Sequence, residues 1–130
     1  MNKKGFTLVE LLAVIIILAI VALVATPIIL NVVEDSRKSA AKSEAAFIVS
    51  GINEYCATQA MRKQMNPTDT TITECGATLD LDTVKAAVDL GTASITGSVT
   101  MSGGRVSAAT IVSNTYTVTV SGGSVGTASK

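Results

Sequence analysis

Two hydrophobic periods divide this chain. From Leu11 through Val33 no residue is charged, a run of 23 positions dominated by Leu, Ile, Val and Ala. At a helical rise of about 1.5 Å per residue, such a run reaches roughly 35 Å, against a hydrocarbon core of about 30 Å. Only a helix satisfies its own backbone groups in lipid, so Leu11 to Ile20 is predicted helical despite its β-branched residues. Past Val33 the pattern becomes amphipathic without a break, because Glu34 to Met61 contains no proline and a single glycine, Gly51. Ala41, Ala45, Ile48, Ile52, Tyr55 and Gln59 follow a spacing of three or four, as do Ala45, Val49, Ile52 and Cys56. That spacing gives one apolar stripe wide enough to hold a small sheet.

From Ile95 the period changes to two. Ile95, Gly97, Val99 and Met101 alternate with Thr96, Ser98 and Thr100, Gly103-Gly104 supplies a two-residue turn, and Val106 to Val112 returns as a second strand. Ser113-Asn114 reverses the chain into Thr115 to Val120, with Tyr116, Val118 and Val120 on one face. The reading is a three-stranded antiparallel meander packed on the helical stripe, with its threonines toward water. Between helix and meander, Asn66-Pro67-Thr68-Asp69 reads as a turn, and Val84 to Leu90 as a short helix capped by Asp82 or Thr83 and closed by Gly91. Gly122 to Lys130 is rich in glycine and serine and reads as a loose tail. A helix from Phe6 to about Met61 would be roughly 85 Å long, more than the remaining residues can cover, so its first half needs lipid or other subunits around it. Pro27 should kink this helix or melt a turn near Leu23 to Pro27.

The chain opens on Lys3-Lys4-Gly5-Phe6-Thr7-Leu8-Val9-Glu10, a basic stub followed by one carboxylate at the mouth of the apolar run. The N-terminal end of a helix dipole favours an anion, yet a charge well inside a membrane costs on the order of 3 kcal/mol. A partner cation is therefore expected for Glu10. Gly5-Phe6-Thr7-Leu8-Val9-Glu10, with the short lysine-bearing leader before it and Pro27 after it, resembles the processing site of type IV prepilins and of the related secretion and competence pseudopilins. The resemblance covers about the first 35 residues. It implies that a prepilin peptidase cuts after Gly5 and methylates the new amino terminus at Phe6. It also implies that Glu10 meets an N-terminal amine during filament assembly, and that the helix near Pro27 can lose its regular turns in a filament. A terminus at Phe6 would carry a positive amine of pKa near 8 about one helical turn from Glu10, so the two charges are compatible together and costly apart. An ordinary secretory signal explains the glutamate less well, and a plain anchor gives no reason for the Gly-Phe-Thr-Leu-Val-Glu sequence.

Composition narrows the choice. The chain has 130 residues with 10 basic and 10 acidic side chains; loss of Lys3 and Lys4 leaves 8 against 10, a side-chain charge of −2. Nucleic acid is unsupported as a partner by so slight a balance. Arg37, Lys38 and Lys42 are interleaved with Glu34, Asp35 and Glu44 at helical spacings and read as a solvated, ion-paired face. Cys56 and Cys75 are the two cysteines of an exported domain and are expected to pair, which would stabilise the fold by roughly 3 kcal/mol; two buried thiols are the alternative. With no histidine and no Cys-x-x-Cys, neither a metal nor a cofactor is expected. Asp80 and Asp82 lack the glycine and glutamate of a calcium loop and suit a helix cap better. No nucleophile elbow or phosphate-cradling loop occurs, so the chain reads as a non-enzyme.

The expected fold class is α+β, a long N-terminal helix on a small antiparallel sheet of three or four strands, as in type IV pilins. Its expected parts are a cleaved leader (1–5), an apolar membrane or filament-core helix (6–33), an amphipathic half (34–62), a connection with a short helix (63–94), the meander (95–121) and the tail (122–130). The resemblance implies a pilus subunit that resides in the cell membrane before assembly and in an extracellular filament afterwards. Its partners would be identical subunits, the peptidase and the pilus assembly machinery, and such filaments serve adhesion and twitching motility. A pseudopilin of a secretion or DNA-uptake system and a membrane-tethered adhesion domain are the alternatives.

Overall fold

The computed structural model describes residues 5–72, 74–86, 88 and 95–130, the side chain of Thr83 excepted. Helix α1 runs from Leu8 to Met65, and the elements after it are β1 (Thr78–Asp80), α2 (Leu81–Lys85), β2 (Ile95–Ser102), β3 (Arg105–Ser113), β4 (Tyr116–Ser121) and β5 (Ser124–Ser129). The fold is α+β, with an antiparallel sheet of five strands in the order β1-β2-β3-β4-β5. The chain divides into two units, one up to Ser36 and one from Arg37 onward.

In the first unit the apolar run is helical throughout, and its large side chains are exposed from Phe6 to Val33. The melted turn expected near Leu23 to Pro27 is absent, since the helix is assigned without interruption across these residues. Pro27 has no N–H to donate to the Leu23 carbonyl, but its fixed φ suits a helix and a single missing bond does not undo the turns on either side. One residue earlier, the Thr26 hydroxyl donates to the Ala22 carbonyl at 2.6 Å, a side-chain bond that stays within the helix.

In the second unit the helical stripe holds the sheet as its spacing requires. Ala41, Ala45, Ile48, Val49, Ile52, Cys56 and Gln59 are buried on α1, facing Ile95, Val99, Met101, Val106, Ile111, Tyr116, Val118 and Val120. The threonines and serines of β2, Thr96, Ser98 and Thr100, point to water with Thr110 and Thr119 of the neighbouring strands. Two Gly-Gly turns connect the strands. Gly103 and Gly104 have φ of 59° and 76°, and Gly122 and Gly123 repeat this at 58° and 77°, the left-handed pair that a two-residue hairpin turn demands.

The second of these turns corrects the expected C-terminus. Residues 124–129 are not a loose tail but strand β5, paired antiparallel with β4 from Thr117↔Ser129 to Ser121↔Ser124. Strand β1 adds the fifth member at the opposite edge, opposite Thr100 to Ser98 of β2. The short helix is also displaced. α2 begins at Leu81, ahead of the expected start at Val84, and is capped by Asp80, whose carboxylate accepts the Asp82 N–H at 3.1 Å, rather than by Asp82 or Thr83; residues 87, 89 and 90 of the expected helix lie outside the described residues. The expected closure at Gly91 lies outside the described residues, as do Lys3 and Lys4. The Asn66 turn is present, closed by the Asp69 N–H donating to the Asn66 carbonyl at 3.2 Å. There the Asp69 carboxylate accepts the Thr71 hydroxyl at 2.7 Å and the Thr71 N–H at 2.9 Å, which together hold it below the usual aspartate range.

Helix and sheet are tied by polar bonds as well as by packing. The Asn53 side-chain oxygen accepts the Val106 N–H at 2.8 Å, beside the irregularity at Thr100/Met101 where the β2–β3 register shifts. The Ser113 hydroxyl, itself buried, donates to the Glu44 carboxylate. Cys56 and Cys75 form a disulfide with Cα atoms 5.6 Å apart, fastening the connection to the end of the helix.

Candidate functional site

The segment of greatest chemical interest is the start of α1. Gly5, Phe6 and Thr7 precede the helix and are exposed, with Phe6 90% accessible. Thr7 is the cap. Its N–H and its hydroxyl both donate to Oε2 of Glu10, at 2.8 and 2.9 Å, while the Glu10 N–H donates back to the Thr7 hydroxyl oxygen at 3.3 Å. The Leu11 N–H completes the first turn by donating to the Thr7 carbonyl at 3.2 Å. This reciprocal arrangement is a capping box, in which a threonine and a glutamate three residues later satisfy each other's otherwise orphaned backbone groups.

The expected cation for Glu10 is thus replaced, in the single chain, by two neutral donors from Thr7. The sequence signal for this arrangement is Thr7-x-x-Glu10, the Ser/Thr-x-x-Glu pattern of a helix start. With residues 1–5 attached, the nitrogen of Phe6 is an amide and carries no charge. Both donations from Thr7 fall on one carboxylate oxygen, Oε2.

Beyond the cap, the site is a surface rather than a pocket. Phe6, Leu8, Leu23 and Leu30 are each well exposed, and the stretch through Val33 has no buried large side chain among the described residues. It is long and apolar enough to cross a membrane. Pro27 lies within it, away from the cap by about five turns. Cys56 and Cys75 are the remaining expected pair, and the structure joins them. Among the described residues no cluster of His, Cys, Asp or Glu is arranged to hold a metal.

Residues 1–26 match the family model of the prokaryotic N-terminal methylation motif. The match covers the first fifth of the chain and supports a type IV pilin-like protein, and a long helix packed on an antiparallel sheet fits the type IV pilin fold. No curated protein and no solved structure matches the chain.

Proposed function

We propose that this chain is a structural pilin, cut by a prepilin peptidase between Gly5 and Phe6, methylated at Phe6, held in the membrane by α1, and then polymerised into an extracellular filament. The observation that carries this reading is the joining of a methylation motif to an apolar surface that the chain leaves bare from Phe6 to Val33. A typical buried Leu, Ile or Val side chain is worth about 1.5–3 kcal/mol, so a surface of this extent is driven strongly out of water. Lipid and a core of bundled helices are nearly equivalent shelters for it, which lets packing and one charge decide between them. The charge is Glu10. Cleavage creates an amine at Phe6, and the carboxylate of one subunit meets the amine of its neighbour only in correct register. The role is structural, with no catalytic step assigned to any residue.

A pseudopilin shares each of these N-terminal features, and the two are separated by abundance. Filaments sheared from cells and analysed by mass spectrometry should be dominated by this chain, with an N-terminal peptide beginning at N-methylated Phe6. A peptide beginning elsewhere removes the processing step. Sheared material in which the chain is a trace component assigns it to the pseudopilin or minor-subunit class, and an anchored monomer with no filament supports a tethered adhesion domain.

A further inference from the structure

The charged group just past the apolar run reads in the sequence as a solvated, ion-paired face, and the structure gives part of it a different character. A cleft of about 330 Å³ opens between α1 and the β3–β4 turn, entirely within the second unit. Its helical wall is Arg37, Ala40, Ala41 and Glu44, spaced i, i+3, i+4 and i+7, so the two charges flank a floor of two small side chains. The facing wall is Ser113 and Asn114, with Tyr116 behind them. Glu44 is half-buried and its Oε2 accepts the buried Ser113 hydroxyl, which fixes the carboxylate and leaves its second oxygen for another donor. Arg37 is exposed and makes no hydrogen bond or ion pair with a described residue.

We propose that this cleft binds the headgroup of a phosphatidylethanolamine-type lipid, the Arg37 guanidinium taking the phosphate and Glu44 the ammonium. The inference rests on the membrane-held state of the preceding section. A guanidinium offers paired N–H donors to phosphate oxygens, and a primary ammonium offers donors to a carboxylate, so a zwitterion suits this pair of opposite charges better than a simple anion, which Glu44 would repel. The order is also right. Arg37 lies four residues beyond Val33, at most about 14 Å of chain, and Glu44 comes seven residues later, the same sequence as tails, phosphate and ammonium, with the long Arg37 side chain able to reach toward Glu44 across the cleft that both line. The alanines between them leave room for the ethanolamine carbons. Such a clamp would hold the second unit against the bilayer until the subunit is drawn into a filament.

The test uses the full-length chain in vesicles containing equal parts of phosphatidylethanolamine, phosphatidylglycerol and phosphatidylcholine. After flotation and mild detergent extraction, retained lipids are counted by native mass spectrometry. The wild type should retain phosphatidylethanolamine over each of the others by roughly fivefold, the scale of one charged contact near a membrane surface. Arg37→Gln, a change at an exposed position, should lower retention of all three lipids, since each presents the phosphate that the guanidinium takes, and should leave ethanolamine ahead of choline. Glu44→Gln should abolish discrimination between ethanolamine and choline, since the quaternary ammonium differs from the primary one in having no N–H for the carboxylate. An intact-mass check for the Cys56–Cys75 disulfide confirms that each variant is folded. Equal retention of all three lipids by the wild type, preference for phosphatidylglycerol, undiminished retention by Arg37→Gln, or unchanged selectivity in Glu44→Gln overturns the proposal. A chain that floats with the vesicles yet retains no headgroup defeats this inference alone, whereas one that does not float defeats the membrane-held state and this inference with it.

Discussion

Thr7 and Glu10 satisfy one another before any second chain arrives, and this separates two roles that the carboxylate combines. As the third helical residue it caps, through an oxygen that accepts from Thr7; as an anion it can pair with a neighbour's amine. Glutamine at this position keeps the capping geometry, since a Ser/Thr-x-x-Gln start serves the same backbone groups, but removes the charge. Glu10→Gln is therefore expected to insert into membranes like the wild type and to yield few or no sheared filaments, as Glu10→Ala should. Membrane fractionation and filament yield measure the two properties side by side. Full filament yield from the glutamine variant would assign the residue's importance to the cap and remove the charge from the assembly mechanism.

At the scale of elements, one glycine governs how closely β2 and β3 approach. Gly97 has φ of 143°, and a Cβ built there would lie 1.9 Å from the backbone oxygen of Thr110. No rotation of a side chain relieves a clash with backbone, and the conformation itself costs a residue with a Cβ about 1–3 kcal/mol. Gly97→Ala should thus lower the unfolding free energy by at least that amount, read from denaturant unfolding of the full chain in detergent; an unchanged midpoint would mean the strand can shift without cost. The sequence announces Gly97 only as one member of an alternating strand, because its conformation depends on a partner strand 13 residues away.

The same limit explains which elements could be read in advance. The helical stripe from Ala41 to Gln59 and the alternation from Ile95 to Val120 are long, periodic signals, and both elements are present with the expected faces inward. β1 has three residues, too few to show a period, and exists through its pairing with β2. β5 was concealed by its composition. Its clue was Gly122-Gly123, the same dipeptide that had already been read as a hairpin turn at Gly103-Gly104, and a second such turn after a strand implies a further strand. At the N-terminus, the motif residues were legible as a group, while the Thr7 partnership was hidden by attention to charge. The cleft at Arg37 and Glu44 was illegible for a different reason, since Ser113 and Glu44 are 69 residues apart and only the closed fold brings them together.

For the molecule as a whole, the covalent tie in the second unit lies toward the end of the helix, where Cys56 holds Cys75. The disulfide closes a sequence separation of 19 residues and binds the connection, whose other described ties include the Lys63 ammonium donating to the Asp69 carbonyl at 3.2 Å. On the chain-entropy estimate, a loop of this length constrains the unfolded chain by about 3 kcal/mol. The double variant Cys56→Ser/Cys75→Ser should lose about that much unfolding free energy and should become cleavable by protease between Asn66 and Gly76 before the sheet is. Equal protease resistance in the double variant would show that the connection is held by its hydrogen bonds and packing alone.

The bond from Val106 to Asn53 spans 53 positions, and the partners of Ile48 and Ile52 in β2, β3 and β4 are all drawn from residue 95 or later. A nascent molecule halted before that point has already made its greasy rod and has only the connection, with Leu81 and Val84, to lay over the second half. In the membrane-held state proposed above, the nearest shelter is the water-facing skin of the bilayer that takes the first half, where an amphipathic helix rests comfortably. Completion of the sheet is then also an act of detachment, and the order of synthesis, anchor first and cover last, keeps the exposed stripe beside lipid for as long as it is bare.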